Sequence, residues 1–123
     1  MADEITYQVQ FSYTKNGRTL LDSPGTITSD AAGDGLASGI ILATHAAALA
    51  VPLGLVASPG LAVFRNLDDT NYIELGYDSS GFVAVMKIQP LQTVLVSLDG
   101  LMAAPYVKAH TADALMSYTI AEQ

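Results

Sequence analysis

Three strand patterns and two polar turns occupy residues 59–90, PGLAVFRNLDDTNYIELGYDSSGFVAVMKIQP. In the second strand pattern, every other residue from Ile73 to Tyr77 is apolar, which is the period of a strand with one buried face. The turns contain Asp, Ser, Thr and Gly, residue types that favour tight reversals of the chain. The strands are predicted at residues 61–66, 71–77 and 82–88, and the turns at residues 67–70 and 78–81.

The first turn contains the residues that we single out as a structural motif. Short Asp and Asn side chains bond to backbone groups in turns, and Asn66 and Asn71 flank this one and are expected to close it. Asp68 and Asp69 with Glu74 are also the residue types of a hard-metal site or a glycosidase pair, but two adjacent acids in a turn favour the structural role. The motif consists of Asn66, Asp68, Thr70, Asn71, Tyr72 and Gly76.

This segment resembles a family of small structural proteins of tailed bacteriophages. The resemblance is strongest over the middle third of the chain, and it implies an all-β virion component that is often encoded among head and tail genes. The third strand of similar proteins tends to end in Pro-Gly-Glu, whereas this chain has Pro90-Leu91-Gln92, so the type of turn at this point is open. The matching residues are Ser58-Pro59-Gly60, Asn66-Leu67-Asp68, Thr70-Asn71-Tyr72, Glu74 and Gly76.

Strand patterns continue on both sides of this segment. Residues 5–14 alternate apolar and polar side chains, and the Asn16-Gly17 pair that follows is a strong hairpin signal. We expect an all-β fold in a single domain of residues 1–123: an antiparallel β-sandwich, jelly-roll-like, with about 8–10 strands. The remaining strands are predicted at residues 19–22, 26–28, 39–44, 51–56, 93–98, 106–109 and 114–120, with a helical turn capped by Thr44 at residues 44–49, a loop at 29–35 and a turn at Asp99-Gly100.

The composition favours protein partners over nucleic acid. Half of the 123 residues are hydrophobic and only 14% are charged, which is low against roughly 25% for an average domain. A surface so poor in charge favours coverage of part of it by other protein chains; the alternative is a surface made of Ser, Thr, Gln, Asn and Ala. The net charge is −7 and the five basic residues never cluster, so no nucleic-acid partner is expected.

The chain contains no recognisable catalytic or cofactor-binding motif. Without cysteine it has neither a thiol nucleophile nor a thiolate metal site, and no cofactor or metal is expected. His45 and His110 each stand alone among small or apolar residues, which favours a surface or interface role. Asp30 and Asp34 lack the spacing of a calcium loop. We therefore do not expect an enzyme.

One long segment, residues 36–64, has no charged residue. A membrane-spanning helix needs about 20 predominantly apolar residues, and here Pro52 and several glycines interrupt the run. Two buried strands with a short turn between them are the expected structure, and no membrane partner is expected. The acidic N-terminus lacks the basic and apolar regions of a signal peptide.

These observations lead to a functional expectation. The resemblance and the low charge favour a virion location and a capsid decoration or cement protein that contacts the major capsid protein or other virion subunits. A homo-oligomer is expected, most of all a trimer, in which the outward faces of residues 36–64 and of the terminal strands are buried. A tail or neck component and a carbohydrate- or receptor-binding β-sandwich are the alternatives.

Overall fold

The computed structural model describes residues 5–29, 35–98 and 104–122. The chain divides into two compact units, Met1–Ala32 and Gly33–Gln123, which we call the arm and the sandwich and treat separately. Every regular element in the described residues is a β-strand, as the sequence predicts. A single domain of residues 1–123 stays a prediction. Most of the expected loop at 29–35 and the turn at Asp99-Gly100 lie outside the described residues.

The arm is a long hairpin in two ladder segments. At its tip Asn16 and Gly17 both have positive φ angles, 52° and 78°, as a tight hairpin turn requires, so the Asn-Gly prediction is confirmed. The predicted continuous strand 5–14 is interrupted at Val9 and Gln10, because the opposite chain has three residues, 23–25, where this one has two. The strands are β1 (Ile5–Gln8), which pairs with β4 (Thr26–Ser29), and β2 (Phe11–Lys15), which pairs with β3 (Arg18–Asp22).

The sandwich consists of two four-stranded antiparallel sheets. Counted within this unit, the strand orders are 1-8-3-6 in the first sheet and 2-7-4-5 in the second, which is the topology of a jelly roll. The first sheet runs β5 (Leu36–Ala43), β12 (Ala114–Glu122), β7 (Pro59–Asn66), β10 (Thr93–Ser97); the second runs β6 (Leu49–Ala50), β11 (Tyr106–Ala109), β8 (Ile73–Asp78), β9 (Phe82–Ile88).

The core lies between the two sheets. Alternate side chains along each strand point into this core. In β12, for example, the even-numbered residues from Met116 to Ile120 point inward while their neighbours point outward. Both sheets contribute to one hydrophobic cluster, so they are packed face to face. Its largest fully buried apolar side chains are Phe64, Ile73, Leu75, Ile88, Leu98, Val107, Met116 and Ile120.

Two predictions in the uncharged segment are wrong in detail. Residues 44–49 form no helical turn; residues 45–47 form a bend, and the Thr44 hydroxyl donates to the carbonyl oxygen of Ala47 at 2.7 Å. Residues 51–56 form no strand; Gly54, with a φ of 56°, lies in a turn closed by the bond from Val56 N–H to the Leu53 carbonyl. Only Leu49–Ala50 pairs as a strand between β5 and β7. Among the described residues, no helix has the length and apolar character needed to cross a membrane.

Candidate functional site

The turn between β7 and β8 is organised by a buried amide, that of Asn66. This side chain is fully inaccessible to solvent. Its nitrogen donates hydrogen bonds to the carbonyl oxygens of Asn71, at 2.7 Å, and Ile88, at 3.1 Å. Its oxygen accepts a hydrogen bond from the backbone N–H of Asp68 at 2.9 Å. One side chain therefore joins the turn to the end of β9.

Asp68 occupies the centre of the same turn. One carboxylate oxygen accepts from the Asn71 N–H at 2.6 Å and from the N–H and hydroxyl of Thr70, both at 3.0 Å. These bonds, with the one from Asn71 the strongest influence, hold the pKa of the Asp68 carboxyl below its ordinary value because they stabilise its charged form. The arrangement fits a turn-forming carboxylate better than a metal ligand or a glycosidase acid.

Asn71 and Tyr72 connect this turn to the loop that follows β11. The Asn71 side chain accepts from the Thr111 hydroxyl at 2.9 Å and donates to the Ala112 carbonyl at 3.3 Å. The ring of Tyr72 is stacked on His110, with centroids 4.3 Å apart. The Lys87 ammonium also lies 4.6 Å from the Tyr72 centroid. Tyr72 is thus engaged within the fold and is not an open platform for a sugar ring.

Gly76, the last residue of the predicted motif, lies at a bulge between β8 and β9. The pairing register shifts between Leu75 and Gly76. A Cβ atom on Gly76 would overlap the carbonyl oxygen of Val83, so only glycine permits this close approach of the two strands. The role of Gly76 is therefore to let β9 pair along the whole of β8.

His45 has a partner that its sequence position does not reveal. Its Nδ1 lies 2.8 Å from a carboxylate oxygen of Asp113, which also accepts from the His45 backbone N–H at 3.0 Å. The hydrogen bond from the imidazole, more than that from the backbone, lowers the pKa of the Asp113 carboxyl. Both side chains are about half exposed. Within the described ranges, no three His, Cys, Asp or Glu side chains gather closely enough to hold a metal ion.

Glu122 joins three chain segments at the end of β12. Its carboxylate accepts from the N–H groups of Ala57 at 2.7 Å, Gly35 at 3.2 Å and Ser58 at 3.3 Å. These bonds, with the one from Ala57 the strongest influence, hold the pKa of the Glu122 carboxyl below its ordinary value because they stabilise its charged form. Sequence reasoning missed this contact, because the partners lie 64 to 87 residues away along the chain.

Exposed aliphatic side chains are the most unusual feature of the first sheet. Leu36, Ile40 and Leu42 alternate along the outer face of β5, and Leu115 on β12 lies directly opposite Leu42. Leu36 and Ile40 are each 64% exposed. We call these four residues the aliphatic row. The arm also has exposed apolar residues, such as Tyr13 and Leu20, which lie opposite each other.

No protein-family model, curated protein or solved structure matches the chain. The geometry of the described residues therefore has to carry the functional argument, together with the resemblance noted in the sequence. The polar clusters described above support turns and loops, and the same residue ranges also expose apolar side chains.

Proposed function

We propose that this chain is a structural protein of a tailed-phage virion, most specifically a capsid decoration or cement protein. In this role it binds the major capsid protein across subunit boundaries and stabilises the head. The observation that carries the proposal is the combination of exposed apolar surface with very little charge.

The jelly roll suits this role. The fold occurs in viral capsid proteins and in lectins, and fold alone does not define function. Its two sheets are ordered before any partner is met, so docking costs little further conformational entropy. The Asn66 and Glu122 networks fix the connections between the strands, which keeps the outer faces in a defined shape.

The arm supports a role in assembly. The two strands of a hairpin supply little stability by their own pairing. Phe11 and Leu20 are each 59% exposed, on strands that belong to this hairpin. Contact with other virion subunits would cover these side chains and stabilise the hairpin, as expected of an attachment element.

The net charge of the chain supports a position on the outside of the particle. A chain with net charge −7 and scattered basic residues would be repelled by packaged DNA, whereas a position on the outer surface of the head avoids this repulsion. The protein is homo-oligomeric there. A trimer is the favoured state, because a closed three-fold ring matches the three-fold positions of an icosahedral shell.

Heads assembled without this chain provide the test. The purified protein should bind such heads at a fixed number of copies and raise the temperature at which they release DNA. The aliphatic and arm surfaces predict that binding survives high salt, since apolar contacts are screened little. Failure of the protein to bind, with unchanged heat stability of the heads, would refute the decoration role.

A carbohydrate- or receptor-binding role is the second candidate, because lectins share the jelly roll. A tail or neck position is the other location compatible with the resemblance. Sugars that raise the melting temperature of the purified protein would favour the carbohydrate role, and absence of the chain from purified heads but presence in tails would favour the tail.

A further inference from the structure

The tip of the arm combines an asparagine with a following glycine. The chain has three asparagines, and Asn16 is the one that glycine follows. Asn16 and Gly17 are both exposed, and they form the two-residue turn that the pair Lys15 and Arg18 closes. A Cβ atom added to Gly17 would meet no heavy atom of the described residues within 4 Å, so the space around this peptide bond is open. The Asn16 amide and the Gly17 nitrogen are therefore within reach of water.

The other two asparagines are held by hydrogen bonds within the sandwich. The Asn66 side chain is inaccessible to solvent and makes three hydrogen bonds, and the Asn71 side chain makes two with the loop after β11. The bulky residues Leu67 and Tyr72 follow them in the sequence. Within the described ranges, the Asn16 side chain has no hydrogen-bond partner. Of the three amides, that of Asn16 is thus the one free to rotate onto the backbone nitrogen of the next residue.

An intramolecular reaction connects these two residues. The Gly17 backbone nitrogen loses its proton to a solvent base and attacks Cγ of Asn16; the new N–Cγ bond replaces the Cγ–Nδ2 bond, and ammonia leaves after taking up a proton from solvent. Water then opens the cyclic imide at Cγ to give aspartate, or at the backbone carbonyl carbon to give isoaspartate. No electrons are transferred, and water is the one co-reactant. We infer that Asn16 is a deamidation site, whose amide is converted to a carboxylate at the tip of the arm.

Three features of the turn favour this reaction. Gly17 has no Cβ atom to obstruct closure of the ring. The cationic side chains of Lys15 and Arg18, two of the five basic residues, flank the turn and stabilise the negative charge that forms on the nitrogen and then on the oxygen of the tetrahedral intermediate. Every residue of β2 and β3 is exposed, so few buried contacts oppose the opening of the tip into reactive conformations.

The products change both the charge and the shape of the tip. A carboxylate in place of the Asn16 amide makes the net charge one unit more negative than −7. Isoaspartate adds a methylene to the backbone, and this longer path does not fit a two-residue turn with φ angles of 52° and 78°. The pairing of Lys15 with Arg18 should therefore weaken in the isoaspartate form. The reaction needs only water, so it is independent of the proposed function.

Incubation of the purified full chain at mildly alkaline pH, followed by chymotryptic digestion and mass spectrometry, tests this inference. A sample digested before incubation gives the baseline. The peptide that contains Asn16 should show the mass increase of an amide-to-acid conversion and become a substrate for isoaspartyl methyl transfer. The peptides that contain Asn66 and Asn71 should keep their amides over the same time.

Asn16→Gly is the matched control, because a Gly-Gly turn preserves the hairpin while the reacting amide is absent. This variant should release no ammonia over the time in which the wild type converts Asn16. An Asn16 amide that lasts as long as those of Asn66 and Asn71 would overturn the inference. Equal release of ammonia by the wild type and by Asn16→Gly would overturn it as well.

Discussion

Replacing Asn66 by alanine removes the three hydrogen bonds of a side chain that has no access to water. Each intramolecular hydrogen bond contributes about 0.5–1.5 kcal/mol net, so the free energy of unfolding should fall by about 3 kcal/mol. The substitution also leaves the carbonyl oxygens of Asn71 and Ile88 and the N–H of Asp68 without this partner. For a unit of this size such a loss lowers the melting temperature on the order of 10–20 °C.

Urea denaturation followed by circular dichroism measures this loss, and Asn71→Ala is the matched control. Both substitutions remove an asparagine amide from the same turn, but the Asn71 contacts with Thr111 and Ala112 are exposed, so water replaces them. Asn71→Ala should therefore cost only about 0.5–1 kcal/mol. Asn66→Asp should be at least as damaging as alanine at neutral pH, because its carboxylate would face the carbonyl oxygens of Asn71 and Ile88.

Equal stability of the two alanine variants would refute this reasoning. The same holds for an Asn66→Ala protein that lies within about 0.5 kcal/mol of the wild type, since a buried amide with three partners cannot be lost at so small a cost. In either case the turn would be stabilised by something other than the Asn66 network.

Three further substitutions test other parts of the structure. Glu122→Gln should lower the melting temperature relative to the wild type at neutral pH, because it removes the charge that the three N–H groups stabilise. Since the folded pKa of Glu122 lies below the ordinary 4.5, this difference in melting temperature should shrink as the pH falls from 4.5 through the folded value. A difference that stays constant with pH would contradict the account. Leu91→Asn should stabilise by about 0.5–1 kcal/mol in urea denaturation, because the exposed Leu91 has a φ of 62°, which asparagine tolerates better. Gly76→Ala should destabilise by about 3 kcal/mol or more, owing to its overlap with the Val83 carbonyl, and a stable protein would show that β9 shifts easily.

The strands with clear local patterns could be predicted from the sequence. Residues 82–88 and 106–109 are strands at the predicted bounds, because short runs of strand-favouring residues are bounded locally by turn residues or proline. The Asn16-Gly17 turn is equally local. The type of turn after β9 could not be predicted: the Gln92 N–H bonds to the Gln89 carbonyl, and Leu91 has the positive φ that glycine would have adopted at no cost.

Contacts between distant segments could not be read from the sequence. Nothing near His45 indicates that Asp113 will lie 2.8 Å from its ring, since the two meet only when the loops at one end of the sandwich are assembled. The part of the aliphatic row on β5 could be predicted from the sequence, because it belongs to the outward face of the uncharged segment 36–64. Its extension to Leu115 required the register between β5 and β12.

A reconstruction of the particle produced by the genome that encodes this chain tests the central proposal most directly. The proposal predicts density for the jelly roll on the outer surface of the head, in closed rings of three that lie across boundaries between capsid subunits. Density for the chain in the tail or neck alone, or its absence from the particle, would contradict it.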